Sequence, residues 1–367
     1  MLTSRINFIN FKKKIKSSKI KKRLRELILN KNNKVIESLS NNYKYSFNKY
    51  GLKKYKNNSH FRIIGMGGSS LGTQTIYDFL GNKIKKKFIF IDNLQSNQKK
   101  NEKKKYVNLI ISKSGNTIET IANSNILIKN KDKNIFITEN KKSYLYDLAQ
   151  KLKAEIISHN NYIGGRYSVL SEVGMLPAEL MGLNINNFKQ FNSLIKNKQF
   201  LNSLILNVSS ILFFIKKKKF NSIIINYDEK SENLFKWYQQ LVAESLGKKK
   251  KGLLPIVSNM PKDNHSVMQL YLDGFQNNFY TFFYTHEANS EKFKSKLILP
   301  SQKFLKNKRI SNVVYAQKKA TERVFSHKKI PFRSFEIKKR NEKTLGELFS
   351  FFILETILLG QCLNLNP

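Results

Sequence analysis

The chain has 367 residues, with 67 lysines and arginines against 25 aspartates and glutamates, a formal net charge of +42. Two domains are expected, because a single core rarely grows beyond roughly 250 to 300 residues. One cysteine, Cys362, excludes an internal disulfide. The N-terminus lacks the apolar core of a signal peptide and no apolar run of about 18 residues is evident, so we expect a cytoplasmic protein with no membrane span.

The charge alone would suggest a nucleic-acid partner. The lysines, however, form short runs between apolar segments and beside many asparagines, which a base-composition bias of the gene explains without any partner. No aromatic-interleaved motif or zinc-ligand spacing accompanies them. Nucleic acid is therefore not expected as a partner, although the charge would draw anions toward the protein.

The first half of the chain alternates between two kinds of segment. Residues 13–30 predict a basic amphipathic helix, and the stretch to about residue 60 is polar and irregular. Short apolar runs typical of strands follow, with helical segments between them. The predicted strands are 61–66, 87–92, 106–112, 134–138 and 154–158, and the predicted helices are 70–81, 117–130 and 143–152.

The same alternation returns after residue 200, which predicts a second α/β unit. Strands are predicted at 221–228, 253–257, 277–285 and 331–339, and helices at 231–248 and 344–363. Such alternation is typical of a doubly wound parallel sheet. We expect an N-terminal helical and basic segment at 1–57, a first domain at 58–190 and a second at 191–367.

The loop "GMGGSSLG" at 65–72 follows a predicted strand and opens a helix. Glycines here, including Gly68, let backbone N–H groups approach an anion, and the helix N-terminus adds a positive dipole end. The spacing matches neither the dinucleotide fingerprint nor a P-loop. A tight strand-to-helix connection remains the alternative for this loop.

The stretch "IISKSGNTIET" at 110–120 is a second loop of the same kind. Its hydroxyls and ammonium are the donors that a phosphomonoester dianion requires, and they come from Ser112, Lys113, Ser114 and Thr117. The alternative is that Thr117 is an N-cap and the serines form turns. No nucleophile and base are paired in either loop, so together they predict phosphate binding rather than phosphoryl transfer.

Three further residues are candidates for chemistry. Arg166, in "GGRYSVLSEVGMLP", lies in an apolar segment, where an arginine normally has an anionic partner. It could form a structural ion pair with Glu172 or Glu179, or it could stabilise developing negative charge. Glu244 and Gln240 share one face near the end of the predicted helix 231–248, where a carboxylate suits a base, although most surface glutamates have no such role.

The third candidate is His265, in "PKDNHSVMQLYLDG" at a predicted helix start. A lone histidine is more often structural than catalytic, although its protons are available near neutral pH. No grouping of His, Cys, Asp and Glu suggests a metal ion.

Taken in order, five segments of the chain resemble the glucose-6-phosphate isomerase family. They are "IGMGGSSLG", "SKSGNTIET", "GGRYSVLSEVGMLP", "ESLGK" and "DNHSVMQLYLDG", and the last helix also resembles the family's. The resemblance implies two doubly wound sugar-isomerase domains and interconversion of glucose 6-phosphate and fructose 6-phosphate through an enediolate, without cofactor or metal. It also implies a homodimer with a shared active site.

The resemblance assigns a role to each candidate. Gly68, Ser69, Ser112, Lys113, Ser114 and Thr117 would hold the sugar phosphate. Arg166 would stabilise the enediolate, Glu244 would move the proton between C1 and C2, and Gln240 would contact the sugar. His265 would assist ring opening from the partner subunit.

One role of the family has no counterpart in this sequence. In the family a further helix follows a segment like "NLNP" and carries a lysine that assists ring opening, whereas this sequence ends at Pro367. We therefore expect cyclic substrate to be affected more than proton exchange. A sugar-phosphate-binding protein without catalysis is the alternative, but it leaves "GGRYS" and "ESLGK" unexplained.

Overall fold

The computed structural model describes residues 1–12, 17–30, 32–96, 104–129 and 131–367. It is an α/β structure with two parallel-sheet cores, as predicted. The strands are β1 (Ile6–Ile9), β2 (His60–Ile64), β3 (Lys87–Ile91), β4 (Val107–Ile111), β5 (Lys133–Thr138), β6 (Glu155–Ser158), β7 (Asn221–Asn226), β8 (Leu254–Asn259), β9 (Asn278–Thr285) and β10 (Phe332–Ile337).

The α-helices alternate with these strands along most of the chain. They are α1 (Ser18–Leu29), α2 (Lys34–Leu39), α3 (Lys49–Leu52), α4 (Leu71–Phe79), α5 (Ile118–Leu127), α6 (Tyr144–Lys151), α7 (Glu172–Leu180), α8 (Phe191–Leu194), α9 (Lys198–Lys216), α10 (Glu232–Leu246), α11 (Met268–Asp273), α12 (Ile310–His327) and α13 (Glu342–Cys362). Short 3-10 turns lie between several of them, including Gly165–Leu170 and Lys262–His265.

The first sheet has the strand order β3-β2-β4-β5-β6 and all its strand pairs are parallel. Its central strand β4 is buried along its whole length. Strands covered by protein on both faces have continuous apolar sequences rather than alternating ones. For this reason the strands of the first sheet could be predicted from short apolar runs.

The second sheet has the order β1-β10-β9-β7-β8. Strands β7, β8, β9 and β10 are parallel, and β1 pairs antiparallel with β10, Phe8 opposite Phe335. Strand β1 was not predicted, because its four residues precede a polar stretch and give too short a pattern. The division into residues 1–57, 58–190 and 191–367 stays a prediction.

Helices α10 and α13 pack against each other in the core, and α10 also contacts α4, which follows β2 of the first sheet. A charged network is buried beside them. Arg333 of β10 is paired with Glu355 of α13, which also accepts a hydrogen bond from the Tyr238 hydroxyl at 2.8 Å. Buried charge of this kind is tolerated only when it is paired and hydrogen-bonded. The pair of Arg333 and Glu355 fixes α13 against the second sheet.

The remaining differences from prediction are of three kinds. The predicted strands and helices match to within a turn, except that the start of the helix at 13–30 falls on residues 13–16, outside the described residues. Within the described residues, six helices were missed: α2, α3, α7, α8, α9 and α12. The expectation that no segment has the length and apolarity of a membrane span was also wrong.

By length and composition alone, helices α9 and α13 could each cross a membrane. Most of α13, however, is buried inside the protein, which explains why its residues are apolar. In its most apolar window 89% of the residues are buried inside the protein, compared with 50% in α9. Core helices of large α/β proteins have the same composition, because they are apolar all round.

Candidate active site

The two predicted anion loops lie side by side at one edge of the first sheet. Strands β2 and β4 are neighbours and parallel, so their carboxyl ends meet at the same edge. The loops touch at their starts, because a Cβ built on Gly65 would lie 2.8 Å from the carbonyl oxygen of Ile111. Side chains and N–H groups from both loops therefore face one region of space.

The loop after β4 is shaped as an anion cradle. Ser112 Oγ and Thr117 Oγ1 are 2.8 Å apart, and Gly115 turns the chain with a φ of +69°. A Cβ on Gly115 would lie 2.1 Å from Ser143 Oγ, so only glycine fits there. In the part of the chain that the structure describes, the N–H groups of Ile118 and Glu119 have no acceptor, as is usual in the first turn of a helix.

Lys113 departs from the predicted arrangement. Its ammonium donates to the carbonyl oxygen of Asn161 at 2.8 Å and lies 3.6 Å from Glu139. Although burial opposes the charged form, the hydrogen bond from Lys141 and the charge of Lys113 hold the pKa of Glu139 below its usual range. The lysine is thus balanced by a carboxylate rather than free in the cradle.

Gly68 makes the closest contact between the first loop and the arginine segment. A Cβ on Gly68 would lie 2.3 Å from the carbonyl carbon and oxygen of Gly165 and 2.7 Å from Arg166 N. Ser168 Oγ also donates to the carbonyl oxygen of Gly68 at 3.4 Å. The arginine segment therefore packs backbone to backbone against the loop.

Arg166 is paired with Glu244, at 2.9 Å from Nη1 to Oε1. Its side chain is 15% exposed and that of Glu244 is 51% exposed, so the cation is enclosed while the carboxylate faces solvent. The alternative partners are engaged elsewhere. Glu172 accepts hydrogen bonds from the Tyr43 hydroxyl and Ser46 N, and Glu179 lies 3.3 Å from Lys49.

Three side chains that sequence reasoning missed hold Arg166 in place. Ser245 Oγ accepts from Arg166 Nε at 2.8 Å and is bonded to the Tyr167 hydroxyl at 2.9 Å, and Trp237 Nε1 donates to the carbonyl oxygen of Arg166 at 3.2 Å. Burial raises the pKa of Tyr167, which keeps it a neutral hydroxyl. In the sequence, the one indication of these contacts was that Ser245 stands at the end of the apolar face of α10.

Gln240 connects α10 to the first loop. Its Nε2 donates to Glu244 Oε2 at 3.2 Å and lies 2.8 Å from where a Cβ would stand on Gly67, which has a φ of +52°. The buried Oε1 of Gln240 has no hydrogen-bond donor within the described ranges. Gln240 thus lies directly beside the carboxylate, with its own oxygen shielded from solvent.

The structure brings Gly68, Arg166, Gln240 and Glu244 together, but it does not bring His265 to them. His265 ends the 3-10 turn at 262–265 and is exposed. Across the described part of the chain, no hydrogen bond joins its imidazole to another residue, and no group of His, Cys, Asp and Glu is suited to a metal ion. The site offers an anion cradle, a fixed cation and an accessible carboxylate.

The fold is similar to those of solved structures, among them a glucose-6-phosphate isomerase. The chain superposes with a TM-score of 0.80 on a hypothetical protein from Thermus thermophilus, at 18% identity, covering 95% of this chain and 89% of that one. The TM-score is 0.68 with a glucose-6-phosphate isomerase from Chlamydia trachomatis, also at 18% identity, covering 87% and 68% of the two chains. These likenesses show the fold.

Sequence comparison gives the family. The phosphoglucose isomerase family model matches residues 28–259. The chain is 31% identical over 335 residues to the glucose-6-phosphate isomerase of Methanocaldococcus jannaschii, covering 86% of this chain and 82% of that protein. It is 32% identical to that of Mycoplasmopsis pulmonis, covering 83% and 78%. The chain belongs to the phosphoglucose isomerase family.

The contact at Gly68 gives a prediction about stability and anion binding. Gly68→Ala forces the loop away from Gly165, and we expect it to lower the free energy of unfolding by about 1–3 kcal/mol, as overpacking does. It should also weaken the stabilisation given by inorganic phosphate. Urea unfolding with and without phosphate measures both effects.

Gly81→Ala is the matched control, because a Cβ on Gly81 would meet nothing within 4 Å. It should unfold at the native urea midpoint. If Gly68→Ala also unfolds at the native urea midpoint and is stabilised by phosphate as the native protein is, then the contact between Gly68 and Gly165 supports neither stability nor anion binding.

Proposed function

We propose that the protein interconverts glucose 6-phosphate and fructose 6-phosphate through an enediol(ate) intermediate. The observation that carries the proposal is the pair formed by enclosed Arg166 and exposed Glu244, 2.9 Å apart beside the anion loops. Membership of the phosphoglucose isomerase family supports it, since its relatives in Methanocaldococcus jannaschii and Mycoplasmopsis pulmonis are named glucose-6-phosphate isomerases.

The two loops would anchor the phosphate. Ser112 and Thr117, whose hydroxyls are 2.8 Å apart, and Ser114 would donate to its oxygens, together with N–H groups near Gly68 and Ser69. Lys113 would add positive charge from its place beside Glu139. Binding energy at this remote group orients the reacting carbons, so substitutions here should impair substrate binding and positioning first.

The chemical step needs a base that serves two adjacent carbons and a cation for the oxyanion that develops on these carbons in the enediolate. Glu244 would take the proton from C2 of the aldose and return it to C1, while Arg166 stabilises the enediolate oxygen. Ser245 and the backbone contact with Trp237 keep the guanidinium in position as a preorganised charge. Gln240 would contact the sugar from its place beside Glu244.

His265 would act in ring opening. Because it is exposed and joined to none of the other candidates, we propose that it completes the site of a partner subunit in a homodimer. The enzyme would work in the cytoplasm, in glycolysis and gluconeogenesis. A sugar-phosphate-binding protein without catalysis is not favoured, because binding alone gives no reason for a guanidinium fixed against an exposed carboxylate.

The first prediction concerns turnover. Glu244→Gln keeps the shape of the side chain but removes the base, and we expect kcat for fructose 6-phosphate to fall by about 10²- to 10⁴-fold. A coupled assay of glucose 6-phosphate formation measures it. Glu232→Gln is the control, because Glu232 lies on the same helix and pairs with Lys236 across one turn.

Native-like turnover in Glu244→Gln would contradict the assignment of the base. If the native protein binds fructose 6-phosphate without converting it, the binding-only alternative is correct.

The second prediction concerns the shared site. Glu244→Gln and His265→Ala should each be nearly inactive as homodimers. A hybrid dimer purified through two different tags would hold one site with both native residues, so we expect about half the native specific activity. A hybrid no more active than the mean of its parents would show that both residues act within one subunit.

A further inference from the structure

A second cavity, of about 580 Å³, lies at the carboxyl edge of the second sheet. Its walls are formed by the end and the loop of β9 (Tyr284 and residues 286–289), residues 338–340 after β10, Lys230 after β7, the start of α12 (Ser311, Asn312 and Tyr315), and Asn82 after α4. None of these residues belongs to the candidate active site. The volume is in the range of small-molecule sites, which form preferentially at this edge of parallel sheets and between domains.

The charges in the cavity wall do not cancel. Its carboxylate, Glu287, accepts from Arg340 Nε at 2.6 Å and lies 3.2 Å from Lys230 Nζ. Arg340 is also paired with Asp228 behind the wall. Lys230 and Arg340 are therefore matched by carboxylates. Two other lysines of the wall, Lys338 and Lys339, remain.

Lys338 and Lys339 are the unmatched cations. Lys338 Nζ lies 3.8 Å from the thioether sulfur of Met1. Within the residues that the structure describes, neither ammonium group has a carboxylate partner. Arg340, whose side chain is 7% exposed and lies over the ring of Phe79, keeps one nitrogen, Nη1, without an acceptor in the same ranges. The unmatched positive charge of exposed Lys338 and Lys339 beside neutral Asn82 and Asn289 suits an anion that also carries hydroxyls.

We propose that this cavity is a second binding site for a small phosphomonoester that carries hydroxyl groups, separate from the site at the first sheet. Lys338 and Lys339 would hold the phosphate, the turn of α12 at Ser311 and Asn312 would add its positive dipole end, and amides would bind the hydroxyls. A bound ligand would also link the domains, which Lys83 and Glu342 already join at 2.6 Å close by. The proposal stands independently of the proposed reaction.

The probe is glycerol 3-phosphate, titrated calorimetrically into the full chain at constant ionic strength, so that general charge attraction is held fixed. We expect two kinds of site. Ser112→Ala/Thr117→Val should weaken one of them, and Lys338→Gln/Lys339→Gln should weaken the other by about tenfold or more. The second variant should keep native conversion of fructose 6-phosphate, because neither lysine touches the candidate active site.

Lys216→Gln/Lys217→Gln is the matched control, an adjacent exposed pair at the end of α9 that removes the same charge. It should leave both affinities native. Equal losses in the two lysine variants would mean that the effect is general attraction, and the proposal would be wrong. It would also be wrong if the native protein has a single kind of site that Ser112→Ala/Thr117→Val removes.

Discussion

The close approach of Gly68 to Gly165 is the contact on which the arrangement of the site depends. A Cβ on Gly68 would lie 2.3 Å from the backbone of Gly165, so the loop after β2 and the turn that carries Arg166 pack at a separation that only glycine at position 68 allows. Helix α10 then packs on both, through Gln240 beside Gly67 and Trp237 on the Arg166 carbonyl. A helix of the second sheet's domain is thereby aligned with a loop of the first.

This alignment separates two electrostatic roles. Arg166 is enclosed and held by Ser245, so its charge is presented in a fixed direction. Glu244 is half exposed at the end of α10 and bonded to Gln240. Because it is exposed, a carboxyl group in this position can exchange the proton it carries with water during the lifetime of the intermediate.

Sequence reasoning reached the parts of this structure that local patterns encode. Both sheets, both anion loops and the candidates on α10 follow from strand-length apolar runs and from the residues at their carboxyl ends. Strand β1 was beyond such reasoning, since its pairing with β10 joins residues more than 300 positions apart. The same holds for Ser245, Tyr167 and Trp237, whose contacts with Arg166 depend on packing, and for Lys113, whose partner Glu139 lies on a different loop.

The most direct test of the account is proton exchange at the reacting carbons. With fructose 6-phosphate in D₂O, NMR should show deuterium entering C2 of the glucose 6-phosphate formed by the native enzyme, because the carboxyl group of Glu244 is accessible to solvent. In Glu244→Gln the exchange and the conversion should fall together, by about 10²-fold or more, while fructose 6-phosphate still binds. Exchange at the native rate in Glu244→Gln would contradict the central claim that this carboxylate moves the proton.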